Sequence, residues 1–202
     1  MPYFHRVSIL LLLVIPFGCG VSPSQAELPS DKPLRDEFVD VLGDKYHLPK
    51  PDDCKAVVLL FVGYDCPISN GYAPEVVRIC KEYMPKKVAF CVVYADADIS
   101  RDEARKHAKE YGYCCPAILD PEMKLARQVG ATVKPEAAVL SPQGELLYRG
   151  RINDLHTDFG KKRPQPTTHD LRDTLDAVLA GKPVPAARTK AIGCYIDFPE
   201  KK

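Results

Sequence analysis

An apolar run ends at Val62, and Gly63-Tyr64-Asp65-Cys66-Pro67-Ile68-Ser69-Asn70 follows, so a cysteine stands where strand-like sequence turns helix-like. The thiolate, not the thiol, attacks disulfides and peroxides. At a helix start, unpaired N–H groups and the positive end of the helix dipole favour a sulfur anion. Pro67 suits the first helical position, where a missing N–H costs nothing. Ser69 occupies the place of a second thiol; its hydroxyl can donate to a thiolate but cannot close a disulfide. Asp65 opposes ionisation, because a nearby carboxylate disfavours a second negative charge. This chemistry needs Cys66 to be ionisable and reachable at the carboxyl edge of a sheet, where α/β folds place their sites. One attacking sulfur forms a mixed disulfide or a sulfenic acid and needs a separate thiol to resolve it.

Cys194, within Thr189-Lys190-Ala191-Ile192-Gly193-Cys194-Tyr195-Ile196, is the candidate resolver: it lies in a tail next to a flexible Gly193 and can reach back over the site. A structural bridge from Cys194 to Cys54, or no bridge at all, is the alternative, since connectivity cannot be read from sequence. Cys80 and Cys91 fall on apolar faces and read as small core hydrophobes. Cys114-Cys115-Pro116 offers either an alternative resolving thiol or a surface turn. Cys54, beside Asp52 and Asp53, has no functional account. His107, among Arg105, Lys106 and Lys109, is expected to face solvent. His156 and His169 flank a Pro- and Lys-rich loop and read as loop and cap residues.

The 202 residues suit one domain with extensions, and Lys+Arg and Asp+Glu nearly cancel to a formal charge of +1. No basic stripe or run of like charge argues for nucleic acid or an anionic membrane surface. Arg6 precedes an apolar run, Val7 to Ile15, too short to cross a bilayer, and Ser24-Gln25-Ala26 offers a signal-peptidase site. Residues 1–26 therefore read as a cleaved export signal, giving a periplasmic or extracellular protein with no transmembrane segment in the mature chain. Lipid anchoring at Cys19 is the minority alternative, since Pro16 and Phe17 match such a site poorly. Of eight cysteines, losing Cys19 leaves seven. Outside the cytosol thiols can stay oxidised, and an odd number leaves at least one unpaired or exchanging. No C-x-x-C occurs and no repeated metal spacing is present, so neither a metal nor a cofactor is implied.

The elements that must position Cys66 follow from periodicity. After a linker over residues 27–37, Phe38 to Leu48 alternates around Gly43-Asp44 as a hairpin. Ala56 to Val62 is a strand covered on both faces, Pro67 to Tyr83 an amphipathic helix with a kink at Pro74, and Val88 to Tyr94 a second buried strand. Ser100-Arg101-Asp102-Glu103 is a capping box opening a helix through Tyr111. A strand at Ala117–Leu119, a helix near Lys124–Val129, and strands at Ala137–Leu140 and Glu145–Arg149 joined by a tight turn follow. A last helix runs from about His169 to Ala180, with Thr167 or Thr168 as its cap and Gly181 closing it. The pattern is α/β: a parallel crossover, then a hairpin, in one domain over residues 38–183, with a tail over residues 184–202.

From about Phe38 to Ala180 the chain resembles the thioredoxin-fold superfamily, closest to its exported redoxin, peroxiredoxin-like branch (the alkyl hydroperoxide reductase and thiol-specific antioxidant proteins). The matching stretches are D-C-P-I-S and A-T-V-K-P-E-A-A-V-L-S-P-Q-G-E-L-L-Y-R-G-R-I. The resemblance implies a central mixed sheet flanked by helices, a catalytic role for Cys66, Ser69 and Cys194, and a cis-proline at Pro135 facing the active sulfur. A T-x-x-x-G-C-x-I ending is similar to one in redoxins carrying D-C-P-I-S-N, which supports pairing Cys194 with Cys66. Arg151, Asp154 and Arg163 are implied as substrate-orienting residues. The departures are that C-P-I-S replaces C-x-x-C, and that Leu59 and Gly63 replace the Pro and Thr/Ser of a peroxiredoxin site. The expected activity is thiol oxidoreduction on a protein or small-molecule disulfide, or on a peroxide, with an unidentified thiol reductant. Two alternatives stand beside it. One is copper handling, in which Asn70 replaces the second cysteine of C-x-x-x-C and Cys194 and His156 complete a site. The other is a non-catalytic redoxin-like binding module.

Overall fold

The computed structural model describes residue 34 and residues 36–48 and 54–198. The expected signal over residues 1–26, Cys19 and most of the linker lie outside the described residues. Among the described residues no helix is long and apolar enough to cross a membrane.

The strands are β1 (Asp36–Val39), β2 (Lys45–Leu48), β3 (Ala56–Phe61), β4 (Val88–Tyr94), β5 (Ala117–Leu119), β6 (Val133–Lys134), β7 (Glu136–Leu140), β8 (Leu146–Gly150), β9 (His156–Asp158), β10 (Lys161–Lys162) and β11 (Cys194–Tyr195). The α-helices are α1 (Pro67–Tyr83), α2 (Arg101–Glu110), α3 (Lys124–Val129) and α4 (Asp170–Leu179). A five-stranded mixed sheet runs β5-β4-β3-β7-β8, parallel from β5 to β3 and antiparallel from β3 to β8. This is the predicted α/β architecture. β3 is central because every one of its residues is apolar and buried, as a strand covered on both faces requires.

Alternate residues of the sheet feed two cores. Val58, Leu60, Phe90, Val92 and Val139 meet Tyr72, Val76, Ile79 and Tyr83 of α1 and Leu171 and Leu175 of α4. Leu59, Phe61, Val93 and Leu140 on the other face meet Leu125, Ala126 and Val129 of α3, Phe38 and Leu48 of the hairpin, and Ile196 of the tail. Deleting a side chain such as Leu59 costs about 2–5 kcal/mol. α1 and α4 are further joined by Tyr83, whose hydroxyl donates to Asp176 at 2.8 Å, and by Arg172, which pairs with Glu75 and Glu82. The Ser100 capping box on α2 is complete, and Asp120 caps α3 by accepting from Leu125 and Ala126 N–H.

Two local expectations change. The hairpin begins at Asp36, two residues earlier than its alternation indicates, and is anchored to the sheet edge where Val41 N–H donates to Ala117 O at 2.8 Å. The cap of α4 is His169, with no side-chain cap bond, because the Thr167 hydroxyl donates to Asp154 and the Thr168 hydroxyl to Asp170.

Candidate active site

β3 is held on both sides and delivers the chain through Gly63 to Cys66, the N-cap residue of α1. Its backbone is extended (φ −90, ψ 111), and Asn70 N–H donates to its carbonyl at 2.9 Å. The Sγ atom sits where an N-cap acceptor sits, receiving Ser69 N–H at 3.5 Å. A Cβ at Gly63 would lie 2.9 Å from the Cys66 Cβ, so only glycine lets the chain fold back this closely. The Ser69 hydroxyl is not where the sequence suggests. Its oxygen accepts Gly63 N–H at 3.1 Å, and Ser69 reaches the sulfur through its backbone instead.

Facing the sulfur is the junction of β6 and β7, where the Lys134–Pro135 peptide bond is cis. Cys66 Sγ–H donates to Lys134 O at 3.2 Å. β11 pairs antiparallel with β6, setting Cys194 opposite Lys134 and Tyr195 opposite Val133. The two thiols are thereby placed at the same residue, Lys134. Burial, then the hydrogen bond to Cys66 and its charge, push the Cys194 thiol up to about 11, while the Lys134 cation pulls the other way. Lys134 is itself buried, with its ammonium 3.5 Å from Asp96.

The tail is fixed by specific contacts. Thr189 hydrogen-bonds the Tyr148 hydroxyl at 2.6 Å and accepts Arg151 N–H at 3.1 Å, and it fills space that a Cβ at Gly150 would need. Gly193 lies flat on the Lys134–Pro135 bond, where a Cβ would overlap Lys134 O and Pro135 N. Ile196 N–H donates to Thr132 O at 2.9 Å, and its side chain is buried. This corrects two expectations. Gly193 is a close-packing glycine, not a hinge seen loose in the fold. Cys66 is 1% exposed, not reachable from solvent, because the tail and the proline loop cover it; Cys194 is the half-buried member of the pair. Beside the tail a 370 Å³ cleft opens between Glu136, Arg149, Phe159, Gly193 and Tyr195.

His107 does not face solvent: it is 7% exposed. Its Nδ1 is 2.7 Å from the Tyr94 hydroxyl and its Nε2 is 2.9 Å from Asn70 Oδ1, while Asn70 Nδ2 donates to Tyr64 O at 3.0 Å. The reason is register: with Ala104, His107 forms the inner face of α2, and its charged neighbours point outward. Burial lowers its pKa, against the opposing charge of Glu110. His156 packs on the Tyr72 ring at 5.3 Å, and burial lowers its pKa too.

Arg151 spends its guanidinium on Asp170 at 2.9 Å and on Thr168. Asp154 accepts from Thr167 and Thr168 and pairs with Arg163 at 3.1 Å. Burial pushes the Asp154 carboxyl up, but those hydrogen bonds and the Arg163 charge outweigh it and hold the group well below the usual range. These three residues staple the loop before α4, and no contact places them on the sulfurs. Cys80 and Cys91 are core residues as expected. Among the described residues no group of three His, Cys, Asp or Glu side chains could hold a metal ion.

Sequence reasoning does not give the roles of Lys134, Asp96, Asn70 and Thr189. The available signal is weak: a lysine between Val133 and Pro135 in an otherwise apolar segment, and an asparagine one turn after Cys66.

No protein-family model and no curated protein matches the chain. Solved structures do. An uncharacterized conserved protein from Geobacillus kaustophilus shares 26% identity and a TM-score of 0.75, over 89% of this chain and 96% of that one. A hypothetical protein from Sinorhizobium meliloti 1021 has 23% identity and a TM-score of 0.75, over 87% and 97%. A structure described as a thiol-disulfide oxidoreductase, from Bacteroides fragilis, has 22% identity and a TM-score of 0.51, over 58% and 89%. The fold is thioredoxin-like.

Proposed function

We propose that the protein is an exported thiol–disulfide oxidoreductase in which Cys66 is the nucleophile and Cys194 the resolving thiol. The observation that carries this is the register of β11 on β6: Cys194 lies opposite Lys134, the residue whose carbonyl takes the Cys66 S–H, so both thiols meet at one residue.

The pair divides its labour by environment. Cys194 stays protonated at neutral pH, and Cys66 sits at a helix start with an N–H aimed at it, so Cys66 attacks. Because Cys66 is covered, the two-residue strand β11 unpairs first, exposing it. The Cys66 thiolate attacks a partner disulfide R–S–S–R′, forms Cys66–S–S–R and expels R′S⁻, which takes a proton. The tail then redocks, Cys194 gives up its proton, and its sulfur attacks Cys66 and expels R–S⁻. Two electrons have passed from the protein dithiol to the partner, which leaves as two thiols. An external thiol reductant reverses the sequence and resets the pair. Ser69 supports the nucleophile through its backbone N–H, and Pro135 shapes the wall facing it. Export rests on residues 1–26, which lie outside the described structure. The N-terminus of the mature protein tests it, with Glu27 expected first.

The deciding experiment is trapping. Cys194→Ser should accumulate a mixed disulfide on Cys66, seen by mass spectrometry of the non-reduced digest. Cys66→Ser should retain less than about 1% of turnover, since an essential nucleophile is lost. Full activity in Cys66→Ser sinks the proposal. Hydrogen peroxide replacing the disulfide tests the other substrate class, with a trapped sulfenic acid at Cys66 as the positive result.

A further inference from the structure

The cleft beside the tail has two walls of different origin. One belongs to the sheet domain: Glu136 of β7, Arg149 of β8, and Phe159 between β9 and β10. The other is the tail itself, from Thr189 to Gly193 and again at Tyr195, which makes up half of the lining. Cys194 does not line it, since alternate residues of an extended strand face opposite sides. The 370 Å³ space is therefore complete only while the tail is docked, and an occupant sits behind the strand that covers Cys66.

The charges around the cleft are unequally engaged. Glu136 is buried and accepts Thr132 N–H at 2.7 Å and Val133 N–H at 3.4 Å. Asp158 accepts Phe159 N–H at 2.9 Å and lies 3.8 Å from the Lys161 ammonium. Both carboxylates thus have partners within the protein. The cations are less engaged. Arg149 approaches Glu136 at 3.5 Å, but its buried Nε makes no hydrogen bond. Arg151, by contrast, donates to Asp170 through Nε and through a terminal nitrogen. Lys190 is exposed and enters no ion pair among the described residues. Arg188 adds a third cation, bridged through the backbone to Arg149. The apolar lining is aromatic. Of the five large apolar side chains exposed among the described residues, the two aromatic ones, Phe159 and Tyr195, both line this cleft.

We propose that the cleft binds a small aromatic carboxylate, and that its binding holds the tail closed over Cys66. The inference rests on the tail being the gate of the exchange proposed above. The planar Arg149 guanidinium suits a carboxylate, Lys190 adds charge, and Phe159 and Tyr195 supply walls for a ring. The volume lies in the range of small-ligand sites, about 300–1,000 Å³. A ligand shifts an equilibrium only by its differential affinity for the two states. Opening removes half of the lining, so the ligand binds the closed state. It then disfavours opening by a factor of one plus the ligand concentration over Kd. Such a ligand inhibits the exchange without touching either sulfur.

The test uses the reduced full chain with benzoate as the probe. Calorimetry gives Kd, and iodoacetamide labelling of Cys66, followed by mass spectrometry, reports opening of the tail. At ten times Kd the labelling should slow about tenfold. Benzyl alcohol, which lacks the charge, and acetate, which lacks the ring, should slow it less than about twofold at the same concentration. Lys190→Ala combined with Tyr195→Ala should abolish the slowing, judged against that variant's own rate without benzoate. The proposal is overturned by no saturable heat with benzoate, by equal slowing with benzyl alcohol, or by binding that leaves the labelling rate unchanged. Neither measurement involves disulfide exchange. Failed trapping in Cys194→Ser with normal closure by benzoate counts against the exchange reading; normal trapping with no benzoate binding counts against the cleft.

Discussion

The sulfur at Cys66 is shaped by what its neighbours lack as much as by what they carry. Gly63 backs onto the Cys66 Cβ and Gly193 onto the Lys134–Pro135 bond that faces the sulfur, and neither tolerates a Cβ. Gly193→Ala therefore forces β11 off β6 at an overpacking cost of about 1–3 kcal/mol. Cys66, uncovered, should then be alkylated at least about tenfold faster by a small reagent, as a higher population of the open tail implies. Unchanged labelling would mean that the tail does not gate the sulfur. Ser69 makes a contrasting prediction. Its hydroxyl satisfies Gly63 N–H inside the fold, so Ser69→Ala strands a buried donor and destabilises by about 1–3 kcal/mol. Its contact with the sulfur is through the backbone and survives the change, so thermal melts should shift while turnover stays within a few-fold.

Between elements, the chain Tyr94–His107–Asn70–Tyr64 ties β4 and α2 to the first turn of α1. Neutral His107 fits it: the Tyr94 hydroxyl donates to Nδ1 and Nε2–H donates to Asn70. Burial lowers the folded-state pKa of His107, so just below the ordinary value of 6.5 the unfolded chain binds a proton that the native one refuses. More protons in the unfolded state means that stability rises with pH. The melting temperature should thus fall as pH drops below about 6.5, levelling off beneath the folded pKa, and His107→Gln should flatten that slope. An unaltered slope would assign it elsewhere, with His156, similarly lowered, the next to examine. His107 also marks where sequence reading stops. The sheet strands and α1, α2 and α3 are legible because continuous apolar runs, a 3.6-residue stripe and a capping box each have one structural solution. So is the place of Cys66 at the strand–helix junction. His107 misleads because α2 buries so narrow a stripe that one polar residue among cations looks exposed. Lys134 and Thr189 are silent because their roles arise where β6 and β8 meet a tail distant in the chain, which no local period encodes.

At the scale of the molecule, the proposed mechanism makes the tail the gate of the site. Nearly all the apolar packing belongs to the sheet and its helices, and the tail adds Ile196, the Thr189 clip and a two-residue strand. Few buried contacts and short pairing make it a segment that opens without global unfolding, which the mechanism requires. The redox state should then set how often it opens. Joining Cys66 to Cys194 closes a loop of roughly 130 residues, and a cross-link over such a loop stabilises by about 2–4 kcal/mol. For a chain of this size that corresponds to a rise in melting temperature of roughly 5–15 °C. Oxidised and reduced wild type should differ by this amount, and Cys194→Ser should lose most of the difference. Proteolysis gives the local counterpart: cleavage within the tail should be slow in the oxidised protein and fast in the reduced one, with the sheet domain intact in both. Equal melting and equal cleavage in the two states would show that Cys194 is not the thiol that closes over Cys66.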